Sequence, residues 1–185
     1  DAYRAIATMA ERGISVVRAY LLIEARPDGT LDTDAVDEQM RRLTEIDPQV
    51  LILARLFRRL PIWWIEEHPD EIMQHRDPLT GDVTNPVGAK LSDSPIPTHY
   101  PASFSSNRWR EEAGDWIEQA VSYLEEHYGP RILAYFLHGG VVEWAYGWNE
   151  VLSDFSAPQR DGFREWLRAR YGNDTTRLRS AWRNP

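Results

Sequence analysis

The sequence predicts an α/β fold built on parallel strands, and three observations carry that prediction. Short apolar, β-branched runs alternate with amphipathic stretches of helical period, in the order αβαβαβαα. Alternation of this kind implies parallel strands joined by right-handed crossovers. The strand-like runs are almost continuously apolar, as expected of strands covered on both faces. The long or decorated loops follow strands, while the loops returning from helix to strand are tight. Part of a (β/α)8 barrel and a small doubly wound sheet both satisfy the alternation. A dinucleotide glycine fingerprint and a phosphate loop are both missing, and the loop asymmetry is that of a barrel.

Ile6, Met9 and Ala10 recur at helical spacing, and Gly13 stands where a carboxyl-terminal cap belongs. Ile14 to Ile23 is the first strand-like run, and Pro27-Asp28-Gly29 turns the chain after it. Asp32 or Thr33 caps a second helix, on which Val36, Met40 and Leu43 form a two-turn apolar stripe. Asp47-Pro48 ends that helix, and Val50 to Phe57 is the second buried strand. The segment from Arg58 to about Ser106 is dense in Pro, Gly, Asp and Ser, with helical character between Ile62 and Met73. Loops of such length are usually functional. Trp109, Ala113, Trp116, Ile117, Ala120, Val121 and Leu124 mark one face of the clearest helix, which Gly129-Pro130 stops. Ile132 to Leu137 is the third strand. Ser156-Ala-Pro-Gln159 reads as a capping box opening a helix that buries Phe163, Trp166 and Leu167. Gly172 closes it, and Leu178, Ala181 and Trp182 mark a short last helix.

The 185 residues suffice for one domain with a real core. A net charge of −8 argues against a nucleic-acid partner, and Arg55, Arg58 and Arg59 make only a short basic cluster. No apolar run approaches the length needed to span a bilayer, so no membrane partner is expected. With no cysteine there is no disulfide framework, thiolate nucleophile or Cys-type zinc site. The five histidines lack metal-ligand spacing, so neither metal nor cofactor is expected. The chain starts inside a helical pattern and stops abruptly after another, and it reads as a fragment of one domain.

The most informative residue is Glu143. An apolar strand runs into Gly139-Gly140 and then presents this carboxylate beside Trp144. Beyond the carboxyl end of a parallel strand, shielded by an indole, a carboxylic acid can hold a raised pKa and protonate a leaving group. Trp63 and Trp64, adjacent on the loop after the second strand, are natural platforms for the apolar face of a sugar ring, or else pin that loop to the barrel rim. Ser105, in the stretch entering the longest helix, is placed to bind sugar hydroxyls or to cap. His138, at the end of the third strand, is either a satisfied structural histidine or a further substrate contact. Arg18 and Arg55 lie inside apolar strands, where a buried guanidinium needs a carboxylate partner. Each is a structural ion pair or the holder of an active-site acid, and Arg55, like Trp144, is also a candidate substrate contact.

These pieces, in this order, resemble the amino-terminal half of a clan A glycoside hydrolase, close to the family 42 β-galactosidases. Gly13-Ile-Ser-Val-Val-Arg18 resembles the family's second barrel strand. Val50-Leu-Ile-Leu53, then Pro61-Ile-Trp-Trp64 and Pro69, resembles its third strand and the loop beyond. Ile132 onward resembles the fourth. Phe163-Arg-Glu-Trp-Leu-Arg-Ala-Arg-Tyr-Gly172, with Leu178 and Ala181-Trp182, is the most specific match. The resemblance implies a partial (β/α)8 barrel, about strands 2–4 with their helices. Residues 1–185 would then lack the first strand and the carboxy-terminal half, and the remainder of the barrel would be their partner.

The resemblance also implies roles. Glu143 becomes the general acid/base, and Arg18 the arginine that holds the nucleophile. Clan A members place Asn before the acid/base, whereas Val142 precedes Glu143; Trp148-Asn149-Glu150 imitates the pattern and makes Glu150 the competitor. The family's nucleophile comes from a seventh strand, outside this chain. Retaining enzymes set their two carboxylates about 5–5.5 Å apart, so this chain alone cannot complete a double displacement. The implied function is retaining hydrolysis of β-linked galactose or a related sugar. The alternative is a carbohydrate-binding or scaffold domain that kept the fold and lost the chemistry.

Overall fold

The computed structural model describes residues 2–56, 60–76, 79–84, 102–137 and 152–183. In chain order the elements begin with α1 (Ala2–Ala10), β1 (Val16–Tyr20), β2 (Glu24–Ala25), β3 (Leu31–Asp32), α2 (Asp34–Ile46) and β4 (Leu51–Leu56). They continue with α3 (Ile62–Glu67), β5 (His75–Arg76), β6 (Val83–Thr84), α4 (Asn107–Tyr128) and β7 (Ile132–Leu137). The last three are β8 (Leu152–Ser153), α5 (Ala157–Tyr171) and α6 (Thr175–Trp182). The chain divides into two compact units: 2–64 with 111–137, and the described residues of 65–110 with those of 152–183.

In the first unit, β1, β4 and β7 form one sheet in that order, with both pairings parallel. The predicted parallel alternation is therefore present as a mixed α/β unit, its three parallel strands lying side by side in chain order. Gly13 explains the tight return into β1. Its N–H donates to Ala10 O at 2.9 Å and the Ile14 N–H to Met9 O at 3.0 Å, with Gly13 at φ +76°. That is a Schellman stop, and the left-handed backbone favours glycine.

Val17, Ala19, Ile52, Ala54 and Leu56 bury one face of the sheet with Val36, Met40 and Leu43 of α2 and Ala120 and Leu124 of α4. The opposite face differs from expectation. Val16, Arg18 and Phe136 are exposed there, and Leu51 and Leu53 are half-buried. Strands covered on both faces were expected; among the described residues the helices cover only one. The period-2 burial of β1 follows directly. Residue 133 is the extra one where the β4–β7 register shifts, so Ala134 pairs with Leu53 and Phe136 with Arg55.

A carboxylate ties α2 to α4. The phenols of Tyr123 and Tyr128 both donate to Asp37 at 2.8 Å. Burial first, and this carboxylate after it, raise the Tyr128 pKa well above the ordinary tyrosine value. A folded-state pKa above the unfolded one contributes stability below about pH 10 that is lost as pH rises through the tyrosine range. Asp37→Ala should cost about 2 kcal/mol, since hydrogen bonds to a charged group are worth roughly 1.5–3 kcal/mol. It should also flatten the alkaline loss of stability. Urea unfolding from pH 7 to 11 checks both.

The second unit contains a small sheet of order β6-β5-β8 with antiparallel pairings. Its strands lie in segments too short and polar to be read from the sequence. The long loop is also more structured than its composition suggests. α3 is followed by a single 3-10 turn from Pro69 to Glu71, and Ile72 bridges Ala102. Ser156 caps α5 by accepting from the Gln159 N–H. The reciprocal half of the predicted capping box is replaced: the Ser156 N–H donates to Asp154 Oδ1 at 2.8 Å, while Gln159 Oε1 accepts from Ser105. Gly172 ends α5 in the left-handed conformation, as expected. The apolar face of α5 is not buried. Phe163 and Trp166 are exposed, stacked at 5.9 Å, and Phe163 also meets the exposed Trp182.

Candidate active site at the carboxyl ends of the parallel strands

The helix-free face of the sheet is built in rows by its register. Val16 stands beside Leu51, Arg18 beside Leu53 and Ala134, and Tyr20 beside Arg55 and Phe136. The last row lies at the carboxyl ends of all three strands, where parallel α/β sheets hold their sites. Arg55 occupies its centre. The guanidinium carbon sits 4.1 Å from the Tyr20 ring centroid and 5.1 Å from that of Phe136. Cations over aromatic faces are attracted by the ring quadrupole, and planar guanidinium suits such stacking. Arg55 is 7% exposed, and its buried Nε has no hydrogen-bond partner among the described residues. Among the described residues, two rings stand where a carboxylate partner was expected.

Arg18 lies one row below, on the same face. It was expected to be buried, but it is exposed in this structure because the face it occupies carries no covering element among the described residues. The three strands contribute no acidic residue, so two arginines dominate the charge of this face.

The tryptophan pair divides. Trp64 has no exposed surface, and its Nε1 donates to Glu112 of α4. A side chain with no surface offers nothing to a sugar, so the ligand role expected of Trp64 is corrected to packing. Trp63 is half-buried; its Nε1 donates to Ala25 O at 2.9 Å, and its ring meets Trp116 edge-on at 5.9 Å. It keeps a surface for stacking.

In the second unit the serines before α4 serve the chain itself. Ser106 caps the helix, accepting from the Trp109 N–H at 2.9 Å. Ser105 donates to Gln159 Oε1, which commits its one donor within the chain and leaves its oxygen as an acceptor. His138, Glu143, Trp144 and Glu150 lie outside the described residues. Tyr20 and Phe136 were not foreseen as site residues. Their parity along β1 and β7 places them on Arg55's face, but only the pairing register aligns the three. A shallow depression of about 480 Å³ opens at the other end of the sheet, lined by Gln49, Val50, Leu51, Tyr128 and Arg131. It is remote from the strand ends where chemistry is expected.

Parallel strands in chain order bring Tyr20, Arg55 and Phe136 to their carboxyl ends, where α/β folds hold their sites. The family model described as Beta-galactosidase, glycoside hydrolase 42, matches residues 2–185, and the chain belongs to that family. It is 29% identical over 178 residues to β-galactosidase BgaA of Thermus sp., covering 94% of this chain and 24% of that protein. The crystal structure of the cold-adapted β-galactosidase from Rahnella sp. R3 is similar in fold. Its TM-score is 0.59 at 18% identity, over 97% of this chain and 23% of that one. The chain spans about a quarter of the length of these relatives.

Proposed function

We propose that this chain supplies about the second to fourth βα units of a (β/α)8 barrel in a retaining glycoside hydrolase acting on β-linked galactose or a related sugar. The observation that carries the reading is the family match over residues 2–185, together with three parallel strands in sequence order. The exposed apolar Val16 and Phe136 on the helix-free face support it, because a closed barrel would cover them.

In this mechanism Glu143 protonates the glycosidic oxygen while a carboxylate from a later strand attacks the anomeric carbon. Glu143 then takes a proton from the water that releases the sugar. Arg18 donates to the attacking carboxylate and keeps it ionised and oriented. Trp63 and Trp144 offer aromatic surface to the ring, and His138 a polar contact. The test is hydrolysis of an aryl β-galactoside by the full-length protein, with and without Glu143→Gln. No turnover of this or a related aryl glycoside by the unmodified protein would overturn the enzymatic reading. One residue favours a second reading, a non-catalytic sugar-binding barrel: Val142 stands where clan A members carry Asn. A glutamate on the seventh strand separates the two, since a binding module has no use for it.

A further inference from the structure

Resting on the glycosidase reading, we propose that Arg55 forms a carboxylate-binding subsite, so that the preferred sugar is a uronic acid and not its neutral counterpart. Three observations on the helix-free face point there. Arg55 is more than nine-tenths buried, and its Nε has no partner among the described residues. A buried guanidinium N–H without an acceptor is costly, and that cost is recovered when an anion arrives. The rings of Tyr20 and Phe136, with centroids 4.1 and 5.1 Å from its guanidinium carbon, attract the charge without giving Nε a hydrogen-bond acceptor, so the N–H edge of the guanidinium still calls for one. That edge matches a planar carboxylate, with two parallel hydrogen bonds.

The third observation is the count of charges. The three strands bring two arginines and no acid to this face. If Arg18 serves the nucleophile, Arg55 requires an anion of its own. It lies at the carboxyl ends of the strands, where the sugar would sit, and a C6 carboxylate is the acidic group that a pyranose commonly presents.

The experiment uses the full-length protein with a matched pair of substrates, 4-nitrophenyl β-galactoside and 4-nitrophenyl β-galacturonide. The unmodified protein should prefer the uronide in kcat/KM. Arg55→Gln should lower the uronide-to-galactoside ratio about 100-fold, because a site built around a polar group discriminates strongly by its presence. Arg55→Lys, which keeps the charge but loses the fork, should fall between. If the unmodified protein prefers the galactoside, or if Arg55→Gln lowers both activities equally, the subsite is overturned and Arg55 holds an acid of the protein's own chain. If neither substrate turns over, the glycosidase reading fails by itself. Calorimetric titration with galacturonate and galactose then decides the subsite: selective galacturonate binding lost in Arg55→Gln upholds it, and equal binding of the two sugars overturns it.

Discussion

Glu143→Gln in the full-length protein is expected to lower kcat/KM on natural β-galactosides by about 10²–10⁴-fold, the usual worth of a positioned general acid. The amide is nearly isosteric with the acid but has no proton to give. The loss should depend on the leaving group. An alkoxide leaving group needs protonation in the transition state, whereas 2,4-dinitrophenolate departs without it. Glycosylation of the enzyme by the dinitrophenyl substrate should therefore be spared, and its deglycosylation, which needs Glu143 as base, should become limiting. A burst of dinitrophenolate followed by a slow steady state is the expected record. If Glu143→Gln leaves turnover near the unmodified level while Glu150→Gln abolishes it, the acid/base is Glu150 and the Asn149-Glu150 pair outweighs the strand-end position.

The legibility of this chain depended on which interactions are local. The helix stops and the α2 stripe were read correctly because they are carried by neighbouring residues. Gly13, Gly172 and the Val36–Met40–Leu43 stripe each act within a turn or two, and all three behave as expected. The parallel sheet was equally accessible, since alternation of strand and helix leaves few other topologies. Burial of the strand faces was less so. An apolar run such as Val50 to Phe57 fits a doubly covered strand, but its second face depends on elements far away in the chain. The same applies to α5. Phe163 and Trp166 repeat at helical spacing, yet spacing cannot say whether a partner is there to cover them.

Site residues divided along the same line. Arg18 and Arg55 stood out because a charge inside an apolar run always asks for a partner. That the partners of Arg55 are Tyr20 and Phe136 depends on register, and a one-residue slip would send them to the other face. The bond from Ser105 to Gln159 was not legible because Gln159 lies far along the chain. At the tryptophan pair, the sequence shows two indoles side by side, while α3 directs one inward and leaves the other partly open.

That division leads to a second large effect. Trp64→Ala is expected to destabilise the protein by about 3–5 kcal/mol, the range for removing a large aromatic from a core. The indole is fully buried, and its N–H is committed to the Glu112 carboxylate. Truncation therefore leaves both a cavity and a carboxylate oxygen without that donor, and the two costs add. Trp63→Ala should behave differently. Its ring is already half-exposed and its partner is a backbone carbonyl, so the loss of stability should be smaller. Its removal should instead weaken galactose binding, by about 1 kcal/mol or more if the ring stacks on the sugar. Urea unfolding and galactose titration of both variants in the full-length protein resolve the pair. Reduced sugar affinity at unchanged stability in Trp64→Ala would mean that the closed packing around Trp64 opens to substrate, and that both indoles belong to the sugar pocket.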